Sequence, residues 1–466
     1  MTIVDRFGPL RELPDWLVAA ADPARVAAAL PASLPELAGG RLQVLEVEPG
    51  RARLKADRWT IRYRVTLRDD AGHVQTRRLL GTLEPANGSG RGGGVRLGPL
   101  GVRVEPEPPD DELPALALLV DPEAARAVLQ AAIVAQVPRL GDLRIASCAP
   151  RVARYAPGSR CTVVYRLGFA PGTAQPHWPT QVVAKTYWED KGEVAFAAMR
   201  ALWATPLARG EPVRVAEPLA YVPEHHLLIQ APVGEEHTLK QLLHDSWRSP
   251  APGARDRLER SVVQAGAGLA ALHDCGARPA RQARWEDQLV QLRQLLGHLE
   301  RAIPALGASL EPLLVALARR AGASPPDPLV PAHGSFRPAQ VLLCGGEASI
   351  IDFDGFCLAE PALDVALFRA SARDIALGEL GHDLERRGAE RALQARADEL
   401  DGLCDLFLAR YQTHRPVSLE RVALYETLDL LTVVLHSWTK VERSRLRHGL
   451  LLLERHVERL EQNTRT

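Results

Sequence analysis

The chain has 466 residues, with 57 basic and 57 acidic side chains and a formal net charge of zero. That length predicts two or three domains, and the balanced charge leaves no basic field to hold nucleic acid or an anionic membrane surface. At 46% hydrophobic and 24% charged residues the chain is globular rather than disordered.

The opening segment, MTIVDRFGPLRELPDW, has no basic start followed by an apolar stretch, and no uncharged apolar run reaches the ~18 residues of a membrane span. Neither a secretory leader nor a membrane helix is predicted. Cys148, Cys161, Cys275, Cys344, Cys357 and Cys404 are scattered, with no Cys-x-x-Cys pair, which reads as six free thiols in a reducing cytoplasm rather than a zinc or redox site.

Asp22-Pro23 opens an Ala-rich helix, residues 42–67 alternate apolar and polar side chains as strands do, and RRLLGTL (77–83) continues them. Residues 84–113, dense in Gly, Pro and acid with Gly92, Gly93 and Gly94 consecutive, read as loop or linker. Then the pattern returns. Asp121-Pro122 opens a second helix, residues 143–167 alternate, and TQVVAKTYW (180–188) follows. Pro49 matches Pro150, Arg58 matches Arg160, and Thr60-Ile-Arg-Tyr-Arg matches Thr162-Val-Val-Tyr-Arg at an offset of 101 or 102 residues, which predicts a duplicated helix-plus-strands unit. The first copy carries Gly81 and Thr82 where the second carries Lys185.

From about residue 190 helical periodicity takes over, at 193–203, 256–275, 285–303, 311–322, 403–412 and onward to about 462. Short apolar strands interrupt it at 227–233, 340–343 and 349–354. A small β-rich lobe before a large helical lobe is the order of elements in kinases.

Polar residues that can carry chemistry gather in PAHGSFRPAQVLL (331–343) and IIDFDGFCLAEPALDVA (350–366), each beside a strand of apolar residues, so they project from loops at strand ends. His333-Gly334, Val341-Leu342-Leu343, Ile351-Asp352-Phe353-Asp354 and Glu360-Pro361-Ala362-Leu363-Asp364-Val365-Ala366 stand in the register of the aminoglycoside phosphotransferase and choline kinase family. The chain resembles that family over residues 140–450 or so. The resemblance implies an α+β, bilobal, protein-kinase-like fold: a degenerate small-lobe unit at 1–100, a linker at 101–113, a small lobe and hinge at 114–233 and a helical lobe at 234–466.

It also implies ATP and Mg²⁺ as ligands, with a small-molecule hydroxyl as acceptor. Asp352 would bind Mg²⁺, supported by Asp354 or with Asp354 in local hydrogen bonding instead. Lys185 would hold the nucleotide's α and β phosphates, and its chemical role is reinforced by composition, because the chain has only five lysines and uses arginine elsewhere. Glu193 is the candidate partner of Lys185, Gly158 and Ser159 lie in the turn that covers the phosphates, and Gln230 with Pro232 lies in the connection that meets the base. His273, on an apolar helix face, reads as a satisfied core residue.

Two positions depart from the family pattern. Ser335 stands where the catalytic Asp belongs, and Gln340 stands where the metal-binding Asn belongs. A serine hydroxyl accepts a hydrogen bond but has neither charge nor useful basicity near neutral pH. A serine nucleophile is not indicated, since the segment is not Gly-x-Ser-x-Gly and the two-residue spacing to His333 does not by itself give base-to-hydroxyl geometry. His333 reads as ordering its loop. Two readings stand: an ATP-dependent phosphotransferase with an atypical base, and a nucleotide-binding pseudokinase that serves as a regulatory or scaffold module, with the N-terminal unit as the surface for a protein partner. Acids such as Asp364, Asp374 and Glu379 alternate with Arg369, Arg373 and Arg386, so no acidic surface for a polycationic substrate is indicated.

Overall fold

The structure is a computed structural model that describes residues 7–55, 58–83, 94–108, 110–248, 252–300, 303–378 and 389–462. The expected loop at 84–93, Glu379 and Arg386 lie outside the described residues.

The N-terminal unit begins with helices Asp15–Ala21 and Pro23–Ser33. Asp22 starts the second by accepting from the backbone N–H groups of Ala24 (2.9 Å) and Arg25 (3.2 Å), while Pro23 supplies the preset φ of a first helical residue. A six-stranded antiparallel sheet follows, built from β1 (Leu42–Pro49), β2 (Arg53–Lys55), β3 (Arg58–Asp69), β4 (Val74–Leu83), β5 (Val95–Arg96) and β6 (Val102–Pro106), in the order β1-β3-β4-β6-β5 with β2 paired to β3. Trp59, Ile61, Tyr63, Val65 and Leu67 alternate into the core from β3, as the period of two requires. The stretch read as linker therefore contains two strands. β6 lends Val102 and Val104 to the core from between β4 and β5, and a five-residue strand flanked by Gly and Pro is too short to stand out in composition.

The second unit repeats this plan. Helices Leu116–Val120 and Pro122–Gln136 precede β7 (Ser147–Ala156), β8 (Arg160–Gly168) and β9 (Gln181–Tyr187); the helix Lys191–Trp203 and β10 (Arg214–Val215) follow, and then β11 (Pro218–Val222) and β12 (Leu227–Gln230). The sheet order, β7-β8-β9-β12-β11, is the same path as β1-β3-β4-β6-β5. Asp121 caps its helix through Ala124 N–H at 2.8 Å. Tyr63 donates to the Ala20 carbonyl at 2.7 Å and Tyr165 to the Leu119 carbonyl at 2.8 Å, each carbonyl two residues before the capping aspartate. Pro49 pairs with Tyr63, and Pro150 with Tyr165. Thr60 pairs with Thr82, and Thr162 with Lys185, so the lysine's place in the first sheet is held by a threonine.

The helical lobe carries two small sheets, β10-β17-β16-β13 and β14-β18-β15, made from β13 (His237–Thr238), β14 (Gln282–Ala283), β15 (Val330–Ala332), β16 (Val341–Cys344), β17 (Glu347–Ile350) and β18 (Cys357–Ala359). Helices Ala254–His273, Pro361–Gly378, Leu419–Lys440 and Arg443–Gln462 are among those that surround them. The N-terminal unit shares its apolar core with this lobe and with the helix Lys191–Trp203, whereas Cys161, Val163 and Tyr165 of the second sheet pack in a separate core with its two leading helices. Trp59 Nε1 donates to the Trp438 carbonyl (3.4 Å) and Trp438 Nε1 to the Leu10 carbonyl (3.1 Å), so the buried indoles find the partners they need. Acids and arginines of the lobe pair with one another. Glu426 lies between Arg369 (3.0 Å) and Arg373, and Asp374 between Arg445 (2.7 Å) and His448 (3.0 Å).

Candidate active site

Two loops cross at a backbone contact. Gly334 has φ +74°, and a Cβ there would stand 2.1 Å from the Gly355 carbonyl oxygen, so the position admits glycine alone. Asp364, fully buried in the first turn of Pro361–Gly378, ties the first loop to the core. Its carboxylate accepts from the N–H of His333 (2.6 Å), the N–H of Phe336 (3.3 Å) and His273 Nε2 (3.1 Å). Burial pushes that carboxyl up, but the His273 hydrogen bond and charge outweigh it and hold it below the usual range. His273 is also bonded to the Tyr411 hydroxyl at 2.8 Å, a satisfied core histidine as its apolar helix face predicts.

His333 Nε2 faces the Ile351 carbonyl at 3.0 Å; a carbonyl only accepts, so Nε2 carries the proton and Nδ1 the lone pair. Ser335 Oγ donates to that Nδ1 at 3.2 Å. The base-to-hydroxyl contact that the two-residue spacing does not predict is therefore formed, because the left-handed turn at Gly334 brings the two side chains to one side of the loop. Burial lowers the His333 pKa and keeps the ring neutral. Gln340 Nε2 points at Ser335 Oγ from 3.5 Å, while its amide oxygen is buried without a partner.

Asp352 sits in the left-handed region at φ +77°, a strained setting for a non-glycine residue that aims its carboxylate at the small lobe. Lys185 Nζ meets it at 3.2 Å, and Arg160 NH1 at 3.3 Å. Burial raises the Asp352 carboxyl, but Lys185 and Arg160 beside it bring it down to about 2. Asp354 accepts from Arg160 (3.1 Å) and from the Tyr187 hydroxyl (3.0 Å), and burial with the neighbouring Asp352 charge holds its pKa above the ordinary value. Alternation explains why these groups converge: Cys161, Val163 and Tyr165 enter the core from β8, which turns Arg160 and Thr162 to the opposite face, opposite Tyr187 and Lys185 of β9.

Other expected residues are placed differently. Glu193 is exposed in the first turn of Lys191–Trp203 and does not pair with Lys185, whose ammonium goes to Asp352. Gly158 N–H donates to Asp110 at 2.9 Å, and Ser159 N–H to the Ala156 carbonyl at 3.0 Å, so these turn amides are already engaged. Gln230 is buried at the end of β12 opposite Val183, and Pro232 is exposed just beyond it. Arg160, which closes the turn of Gly158 and Ser159, and Tyr187 reach the site with side chains to which the sequence reading gave no role. Their signal was the period-two alternation of β8 beside the strand of Lys185.

Residues 183–400 match the model of the phosphotransferase enzyme family. The resemblance read from the two loops holds. No curated protein matches. Among solved structures, a glucosamine kinase is 19% identical with a TM-score of 0.46, covering 97% of this chain and 100% of that one. The choline kinase LicA from Streptococcus pneumoniae is 13% identical with a TM-score of 0.44 (71% and 98% covered). The GDP complex of wild-type aminoglycoside 2'-phosphotransferase-IIIa is 14% identical with a TM-score of 0.42 (71% and 98% covered).

Among the described residues no three His, Cys, Asp or Glu side chains cluster closely enough to hold a metal ion. The oxygen donors that are present still fit a hard cation, since the partnerless buried oxygen of Gln340 lacks only an electropositive neighbour and Asp352 is anionic.

Proposed function

We propose that the chain transfers the terminal phosphoryl group of ATP to a small-molecule hydroxyl, using Mg²⁺. The observation that carries this reading is the 3.2 Å contact between Lys185 and Asp352, a phosphate-binding type of cation and a metal-binding type of carboxylate brought together from positions 167 residues apart. Asp352 and the Gln340 amide oxygen, with Asp354 behind them, would hold Mg²⁺, which would supply positive charge against the phosphates. Lys185 would hold the inner phosphates. Ser335 takes the role of the missing carboxylate by relay: the acceptor hydroxyl gives its proton to Ser335 Oγ as the Ser335 proton passes to His333 Nδ1. Neutral His333 with a free lone pair supports that direction. In a loose transition state little basicity is needed, and positioning does most of the work.

A second reading, the nucleotide-binding pseudokinase, draws support from the hydroxyl at 335, which brings no charge to orient an acceptor. One experiment separates the two: thermal-shift titration with ATP and Mg²⁺, together with ADP formation measured against a panel of small alcohols and sugars. Binding with turnover supports the transferase. Binding without turnover supports the pseudokinase, and no binding removes both. Six unpaired cysteines agree with a reducing cytoplasm as the site of action.

We also infer that the two sheets descend from one duplicated unit, since strand path, helix cap, tyrosine bond and proline–tyrosine pairing all recur. The second copy carries the helix Lys191–Trp203 between β9 and β11, and the first copy has Thr82 in place of Lys185. Nucleotide bound at residues 7–106 would overturn the reading of this copy as a degenerate lobe.

A further inference from the structure

The β7–β8 hairpin approaches the site at its tip, in the place where a turn would be expected to cradle phosphates with its backbone. Its amides are occupied instead. Asp110 accepts from Gly158 N–H (2.9 Å) and from the Tyr155 hydroxyl (2.7 Å), and Ser159 N–H closes the turn on Ala156. From the N-terminal unit, Arg53 donates to the Pro157 carbonyl, and the Glu112 carboxylate lies against Gly158, 2.2 Å from where a Cβ would stand. The tip is braced from outside by residues of the preceding unit and the connector.

What this hairpin sends inward is a side chain. Arg160, the first residue of β8, pairs with Tyr187 in register and reaches Asp352 through both carboxylate oxygens at 3.3 Å and Asp354 at 3.1 Å. Its side chain is 24% exposed. Arg58, at the matching place in the first sheet, is exposed at the start of its strand.

We propose that Arg160 is a phosphate-binding residue: it neutralises Asp352 and Asp354 in the ligand-free cleft, and turns to the outer phosphates of the nucleotide when a cation takes its place on those carboxylates. This rests on the transferase and nucleotide-binding readings above. The chemistry favours the exchange. A guanidinium presents a planar fork that matches phosphate oxygens as well as carboxylate oxygens, and it never loses its charge. With the turn amides committed to Asp110 and Ala156, Arg160 is the side chain this hairpin brings to the carboxylates of Asp352 and Asp354. The brace from Arg53 and Asp110 fixes the backbone from which it swings.

The test measures binding of ATP and AMP, each with Mg²⁺, by titration calorimetry on the full-length protein and on Arg160→Ala, Arg160→Lys and Lys185→Ala, each checked for folding by circular dichroism. Arg160→Ala is expected to weaken ATP binding about 10- to 100-fold, the range of a lost charge-assisted hydrogen bond, and to leave AMP binding within about twofold. Arg160→Lys should recover part of the loss, since it restores charge without the fork. ATP affinity that is unchanged or improved in Arg160→Ala, with Lys185→Ala still defective, would show Arg160 to be a structural latch and overturn this proposal alone. An equal loss for ATP and AMP would also overturn it, because the defect would not lie at the outer phosphates. Wild-type protein that binds neither nucleotide overturns the functional reading itself.

Discussion

Ser335 donates its hydroxyl hydrogen to His333 Nδ1 across 3.2 Å, while the far side of the same ring is fixed on the Ile351 carbonyl. The loop thus holds a hydroxyl joined to a neutral base, and under the proposed transferase reading turnover depends on both.

Ser335→Ala should lower ADP formation about 10²–10⁴-fold, the usual loss when a positioned proton acceptor is removed. Ser335→Asp should raise it above wild type, since a carboxylate both orients and deprotonates the acceptor. A coupled ADP assay on the three proteins decides this. Equal turnover in wild type and Ser335→Ala would remove Ser335 from the mechanism.

Gly334→Ala should destabilise the fold by at least about 2 kcal/mol, because the residue needs φ +74° and its Cβ would collide with the Gly355 carbonyl. Urea unfolding measures the loss. A variant as stable as wild type would mean the two loops part easily, against the close backbone crossing.

Glu360, in the motif before Asp364, accepts from Arg421 Nε at 2.7 Å and from the Tyr425 hydroxyl at 3.0 Å, and Arg421 lies against the Trp285 ring at 5.3 Å. Both charges are buried. Glu360→Ala should cost about 3–5 kcal/mol, since it leaves a buried guanidinium without its counter-charge. Chemical denaturation that shows less than about 1 kcal/mol would place this pair in solvent.

Glu426 gives the fold an acid limit. Burial raises its carboxyl, yet Arg373 and Arg369 bring it down to about 2 from an ordinary 4.5. A carboxyl depressed by folding binds fewer protons folded than unfolded, so its stabilisation is whole above the ordinary value and is lost as pH falls toward 2. Melting temperature should therefore drop through that window, and Glu426→Gln, destabilised at neutral pH, should show a shallower fall. Parallel pH profiles for the two proteins would contradict the assignment.

Much of the architecture was legible from local pattern. Alternation in 42–67 and 143–167 reflects one buried face per strand, and Asp-Pro marks each helix start because the side chain and the ring satisfy the first turn locally. The His333-Gly334 and Ile351-Asp352-Phe353-Asp354 segments were readable for the same reason: a loop between apolar strands must present its polar residues outward. β6 was missed, since a strand of five residues among Gly and Pro leaves no periodic signal.

Sequence by itself showed Ser335 where the family pattern carries a carboxylate, and it showed the similar segments that align Tyr63 with Tyr165. Tertiary structure alone decided the partnerships. Lys185 meets Asp352 and leaves Glu193 in solvent, Gly158 gives its amide to Asp110, Arg160 enters the cleft, and Ser335 turns to His333. Electrostatic and hydrogen-bond partners are set by distances of about 3 Å, and groups far apart in the chain reach that range only when strands and loops pack in three dimensions.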